Sequence, residues 1–126
     1  MKMLDRSKEI DFQEIHMPKF LVPKTIRLAN SIEVYVLEGG GQELCRLDMV
    51  FEAGSKFQDK PLQAIMCNAM LFEGTANKKG EEIYESLDFY GAYTQLDINS
   101  DRAVVSLYTL NKYFDKVLPI FIDAIR

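Results

Sequence analysis

The order of segments along the chain predicts an α+β domain: a mostly antiparallel sheet with helices packed on one face. Three observations carry this. Strand-like stretches are joined by tight-turn residues, which suits antiparallel pairing. Helical stretches gather between the third and fourth strands and after the fifth, giving the order β-β-β-α-α-β-β-α. Hydrophobic residues make up 48% and charged residues 27% of 126 residues, the balance of one globular domain able to bury a core without metal or disulfide staples.

Residues 1–24 are irregular in pattern, with Pro18 and Pro23 blocking regular structure. They are expected to form an extended lead-in, with the folded domain at 25–126. Ile26 and Leu28 alternate, Ala29-Asn30-Ser31 turns the chain, and Ile32–Leu37 forms the second arm of a hairpin. Gly39-Gly40-Gly41 forces a turn. Glu43–Phe51 is a long strand with Leu47, Met49 and Phe51 on one face, ended by Ala53-Gly54-Ser55.

Pro61 suits the first turn of a helix over 61–72. Leu62, Ile65, Met66, Ala69 and Met70 recur at helical spacing, and Ala64 and Cys67 make the segment apolar nearly all round. Deep burial is therefore expected, with Gly74 as the stop. Glu81 and Glu82 open a second helix where its dipole favours carboxylates; Ile83 and Leu87 share its inner face, and Gly91 stands at its C′ position. Ala92–Ile98 and Arg102–Thr109 read as strands paired through the turn Asn99-Ser100-Asp101. Last comes an amphipathic helix with Phe114, Val117, Leu118, Phe121, Ile122 and Ile125 as its stripe, Asn111 as N-cap and Pro119 as a possible kink. The stripe reaches Arg126 without a stop signal, so these residues are expected to be the front part of a longer two-domain polypeptide.

The net charge of -4, from 15 basic and 19 acidic residues without a dense basic cluster, argues against a nucleic-acid partner. No apolar run is long enough to span a membrane, and no signal sequence is visible. A cytoplasmic location is expected, or a periplasmic one if a signal was removed. Cys45 and Cys67 are outside any CxxC pair and are expected to be small buried thiols, with a disulfide between them as the weaker alternative.

Ala69-Met70-Leu71-Phe72-Glu73-Gly74-Thr75 resembles the end of the signature of the insulinase, pitrilysin and mitochondrial processing peptidase family, peptidase family M16. There an HxxEH helix runs into Met-Leu-Phe-x-Gly-Thr. Leu28–Tyr35 resembles the family's hairpin, Val50–Ser55 its "Gly-Ser" strand end, Gly91–Thr94 its "Asn-Ala-x-Thr" edge strand, and Leu107–Leu110 the strand before its next helix. The likeness spans about residues 20–126. It implies the LuxS/mitochondrial-processing-peptidase-like metallohydrolase fold.

On that register the ligand and base positions hold Ile65, Asn68 and Ala69. The chemistry needs two imidazoles one helical turn apart for zinc and a carboxylate to take a proton from metal-bound water. Isoleucine and alanine offer no lone pair, and an amide is no base near neutral pH. The third ligand of the family would lie past Arg126. Catalytic residues and zinc are therefore expected to be absent, and no other cofactor is expected. His16, Glu73, Glu81, Glu82, Asp97 and Asp101 read as surface or turn residues.

The resemblance implies a catalytically silent subunit that pairs with a zinc-bearing paralogue to enclose a peptide-binding chamber. Its peptide-binding edge strand would be Ala92, Tyr93, Thr94, Gln95 and Leu96, onto which unfolded peptide adds as a further strand. The alternative is an architectural core subunit with no peptide binding; an active zinc metalloendopeptidase is the least supported reading.

Overall fold

The computed structural model describes residues 14–126. The backbone divides into two compact units, one ending at Gly41 and the other running over Gln42–Arg126.

The first unit holds the hairpin foreseen from the alternation. Strand β1 (Lys24–Arg27) pairs antiparallel with β2 (Glu33–Val36), from Lys24 opposite Val36 to Arg27 opposite Glu33. The turn closes through Ser31 N–H donating to Leu28 O and Leu28 N–H donating to Ile32 O, both at 2.9 Å. Asn30 Oδ1 accepts from Ile32 N–H at 3.2 Å, the local side-chain bond that suits asparagine to turns. Residues 14–23 carry no regular secondary structure, and the part of the expected lead-in over 1–13 lies outside the described residues.

The second unit contains β3 (Leu44–Phe51), α1 (Gln63–Ala69), α2 (Gly80–Phe89), β4 (Tyr93–Ile98), β5 (Ala103–Leu110) and α3 (Phe114–Ile125). Its strands form an antiparallel sheet in the order β3-β5-β4. The β4–β5 pair is the hairpin expected from Asn99-Ser100-Asp101, and β3 arrives on the far side of β5. Directly opposed residues share a face. One face is therefore Leu47, Met49, Val105, Leu107, Thr94 and Leu96, and the other is Arg46, Asp48, Tyr108, Ser106, Tyr93 and Gln95.

The first face makes the core with α2 and α3. Val105, Leu107, Ile83, Leu87, Val117, Phe121 and Phe72 are at most 1% exposed. The rings of Phe72 and Phe121 lie 6.0 Å apart at its centre. Ile83 and Leu87 occupy α2 one turn apart, as their spacing predicts. The capping is local chemistry: Glu82 reaches back to accept from Lys79 N–H at 2.9 Å. At the other end Gly91 takes φ 63°, donating to Asp88 O at 2.9 Å while Ala92 N–H donates to Leu87 O at 3.0 Å. This is the double bond of a Schellman cap, which places Ala92 against the core at 2% exposure.

Gly54 is needed for a different reason. The chain after β3 passes so close to the β4–β5 turn that a Cβ there would collide with backbone atoms of Ser100, Asp101 and Arg102. Ser55 and Lys56 N–H groups, each 3.0 Å from the carbonyls of Asn99 and Ser100, fix that approach.

Three expectations change. First, α1 is shorter than 61–72. Leu62 takes φ 68° ahead of the first helical residue, so Pro61 stands outside the helix, and regular helix ends at Ala69, well before Gly74. Second, α1 is not deeply buried. Leu62 is 66% exposed, Ile65 49%, Met66 55% and Met70 60%. A helix of seven residues rests on the unit through one side only, and the single residue it fully buries is Asn68. An apolar circumference therefore did not mean core. Third, Asn111 does not cap α3. It opens a short 3-10 turn, Asn111–Tyr113, and its N–H donates to Glu43 O at 3.1 Å. The helix runs through Pro119 to Ile125, with Ala124 buried and Ile122 turned outward at 40% exposure.

Candidate functional site

The positions singled out on α1 separate by burial. Ile65 and Ala69 point outward with Met66, forming an exposed apolar face. Asn68 points inward at 6% exposure. Its Nδ2 donates to Asp97 O on β4 at 3.1 Å, while its Oδ1 is buried without a partner among the described residues. Thus the three residues do not converge on one point. Isoleucine and alanine carry no donor atom, and the amide nitrogen is committed to a backbone carbonyl. The residues present do not fit a zinc ion. Among the described residues no three His, Cys, Asp or Glu side chains are grouped to hold a metal. His16 lies in the irregular segment of the first unit, with an exposed side chain.

The cysteines depart from expectation. Both are free, but Cys67 is exposed on α1, and Cys45 is half-buried on β3, where burial pushes its thiol up. Cys67 falls on the flank of a helix whose outer half meets solvent, so the apolar pattern again overstated burial.

Strand β4 is an edge of its sheet, paired only to β5 among the described strands. In an antiparallel ladder every second residue turns its N–H and C=O away from the partner, so β4 presents unpaired backbone groups on its outer side. The Asn68 amide meets β4 at Asp97, near its end, which leaves Tyr93, Thr94, Gln95 and Leu96 beyond that contact. Ala92, also expected in this strand, lies before it, buried by the cap of α2.

The outer face of the sheet holds a cluster that pattern reading alone did not isolate. Register sets Arg46, Tyr108 and Tyr93 side by side. The two tyrosine rings stack at 4.5 Å with 6° between planes, and the Arg46 guanidinium lies 5.1 Å from the Tyr108 centroid. Tyr108 OH donates to Gln95 Oε1 at 3.3 Å, and Gln95 Nε2 to Asp97 Oδ2 at 3.2 Å. Arg46 Nε donates to Asp48 Oδ1 at 2.8 Å. Partial burial pushes the Asp48 carboxyl up, but hydrogen bonds from Arg46 and Ser106 and the Arg46 charge outweigh it and hold it below the usual range. The pairing depends on how the turn closes: Asn99 stands opposite Arg102, which sets Tyr93 opposite Tyr108, whereas counting outward from a three-residue turn Asn99-Ser100-Asp101 would set Tyr93 opposite Leu107.

The sequence profile of Insulinase (Peptidase family M16) matches residues 34–126. A crystal structure of a peptidase M16 inactive domain from Pseudomonas fluorescens is similar, with TM-score 0.76 and 29% identity, covering 82% of this chain and 26% of that one. A protease from Helicobacter pylori has TM-score 0.73 at 19% identity, covering 83% of this chain and 26% of its own. Pitrilysin has TM-score 0.69 at 18% identity, covering 84% and 12% respectively. The last two likenesses show the fold alone, and the chain spans about a quarter or less of each relative. No curated protein matches it.

Proposed function

The chain belongs to the insulinase family, peptidase family M16, and on that premise we propose that it is a catalytically silent member whose work is to bind peptide rather than cut it. The observation that carries this is the chemistry of α1. The positions that the family's motif would fill with metal ligands and base hold Ile65, Ala69 and an inward-turned Asn68 bonded to Asp97 O. No water is activated by such a set.

The outward face of α1 then serves as apolar wall, and the β4 edge supplies backbone hydrogen bonds to an extended peptide at Tyr93–Leu96. A zinc-bearing M16 subunit is the proposed partner, carrying the hydrolytic chemistry. The likeness to an inactive M16 domain from Pseudomonas fluorescens supports the reading. The open β4 edge favours peptide binding over a purely architectural role.

Titration of an unstructured fluorescent peptide into the full protein tests this. Micromolar binding that is lost when Leu96 is replaced by proline, which removes a backbone donor and distorts the strand, is the expected result. Absence of binding by the full protein with its partner present contradicts it.

A further inference from the structure

The row that crosses the outer face of the sheet ends at the β4 edge. Arg46, Tyr108 and Tyr93 stand side by side on β3, β5 and β4. The two tyrosine rings are parallel to within 6°, with centroids 4.5 Å apart. That spacing is close to the distance between neighbouring strands, about 4.7–4.9 Å. A ring carried by a strand added beside β4 therefore falls on the open side of Tyr93, which is 57% exposed, and continues the stack.

Two rows further along β4 the same face changes chemistry. Asp97 is exposed there. Gln95 stands between the two positions. Its Oε1 accepts from Tyr108 OH at 3.3 Å, and its Nε2 donates to Asp97 Oδ2 at 3.2 Å, which orients that carboxylate. The ion pairs among the described residues are Lys24–Glu38, Arg46–Asp48 and Lys56–Asp101, so none of the described cations pairs with Asp97.

Backbone direction sets which residues of an added strand meet these two. Asn99 N–H donates to Arg102 O at 2.9 Å, so that pair is hydrogen-bonded across the hairpin. Stepping by two along the ladder, Tyr93, Gln95 and Asp97 bond to β5, while Thr94 and Leu96 turn N–H and C=O outward. A peptide bonded to Thr94 and Leu96 meets Tyr93 and Asp97 at non-hydrogen-bonded positions, where facing side chains stand closest.

We propose that the β4 edge selects an extended peptide with a lysine or arginine opposite Asp97 and an aromatic residue opposite Tyr93. Antiparallel pairing, the mode of every described strand pair, puts the basic residue four positions ahead of the aromatic one. The preference rests on the edge-binding reading above and adds side-chain selection to it.

Four fluorescent peptides in the same titration test it. One has lysine four residues ahead of phenylalanine in a serine and threonine background, and one has that pair in reversed order. In the third, glutamate replaces the lysine, and in the fourth, alanine replaces the phenylalanine. The first is expected to bind about threefold or more tighter than each of the others, the scale of one or two cross-strand pairs. Asp97→Lys should invert the preference between the lysine and glutamate peptides, which a merely structural role of Asp97 would not do. Tyr93→Val should bring the phenylalanine and alanine peptides together. Equal affinities of the native protein for all four overturn the preference and leave edge binding standing. Tighter binding of the reversed peptide overturns the antiparallel order. Binding of none, with the partner present, overturns edge binding itself and the preference with it. The native comparison decides even if a variant does not fold.

Discussion

Replacing Phe121 by alanine and, separately, Met66 by glutamine tests where the core of the second unit lies. Phe121 is 0% exposed and packs on Phe72 with ring centroids 6.0 Å apart. Removing it discards a fully buried ring and leaves a cavity, a loss of about 3–5 kcal/mol. With a urea slope of about 1–3 kcal/mol/M, the unfolding midpoint falls by more than about 1 M. Met66 sits in a segment just as apolar by sequence, yet it is 55% exposed. Glutamine matches methionine in length and helix propensity, so Met66→Gln isolates burial. It should change stability by less than about 0.5 kcal/mol. Urea unfolding followed by circular dichroism measures both. If Met66→Gln costs as much as Phe121→Ala, the outer face of α1 is packed and the correction to its burial is wrong. If Phe121→Ala costs less than about 1 kcal/mol, the core is misplaced.

Gly54→Ala should destabilise by about 1–3 kcal/mol in the same unfolding assay, because its Cβ meets the backbone of Ser100–Arg102 and neither segment can give way without losing its cross-bonds. The depressed carboxyl of Asp48 contributes stability that is present above its unfolded value and is lost as pH falls through its lower folded value. An NMR titration should therefore place Asp48 below an ordinary aspartate, and Arg46→Gln should move it back up. Cys67 should react with a thiol reagent well before Cys45, which is half-buried and whose thiol burial pushes up; equal rates would contradict the exposure assigned to α1.

Much of the fold was legible because local signals agreed with tertiary need. Asn99-Ser100-Asp101 marked the hairpin turn between β4 and β5, though the register, with Asn99 opposite Arg102, is one residue from what a three-residue turn would give. Gly91 marked a helix end because its left-handed backbone is what a Schellman cap requires. Ile83 and Leu87 marked an inner face that is buried as read. Strand order was not legible: nothing local in Leu44–Phe51 says that it pairs with β5 rather than β4. Nor was the exposure of α1. Composition states what a helix can bury, whereas its short length and single supporting side decide what it does bury.

Around the candidate site, geometry was not legible. The family resemblance names Ile65, Asn68 and Ala69, but the inward turn of Asn68 onto Asp97 O, with its Oδ1 left without a partner among the described residues, follows from how α1 packs on β4 and from no local signal. The Tyr93–Tyr108 stack was not legible, because it depends on Asn99 standing opposite Arg102, and a turn of Asn99-Ser100-Asp101 would have set Tyr93 opposite Leu107.

The central claim is that α1 has exchanged metal chemistry for an apolar wall. Equilibrium dialysis against zinc, followed by metal analysis, tests it on the native chain and on the triple variant Ile65→His, Asn68→Glu and Ala69→His. The account predicts no stoichiometric zinc on the native chain and a gain of zinc affinity in the variant, whose imidazoles stand one turn apart on the exposed side of α1. One zinc per native chain, lost when residues 65–69 are replaced, would contradict it.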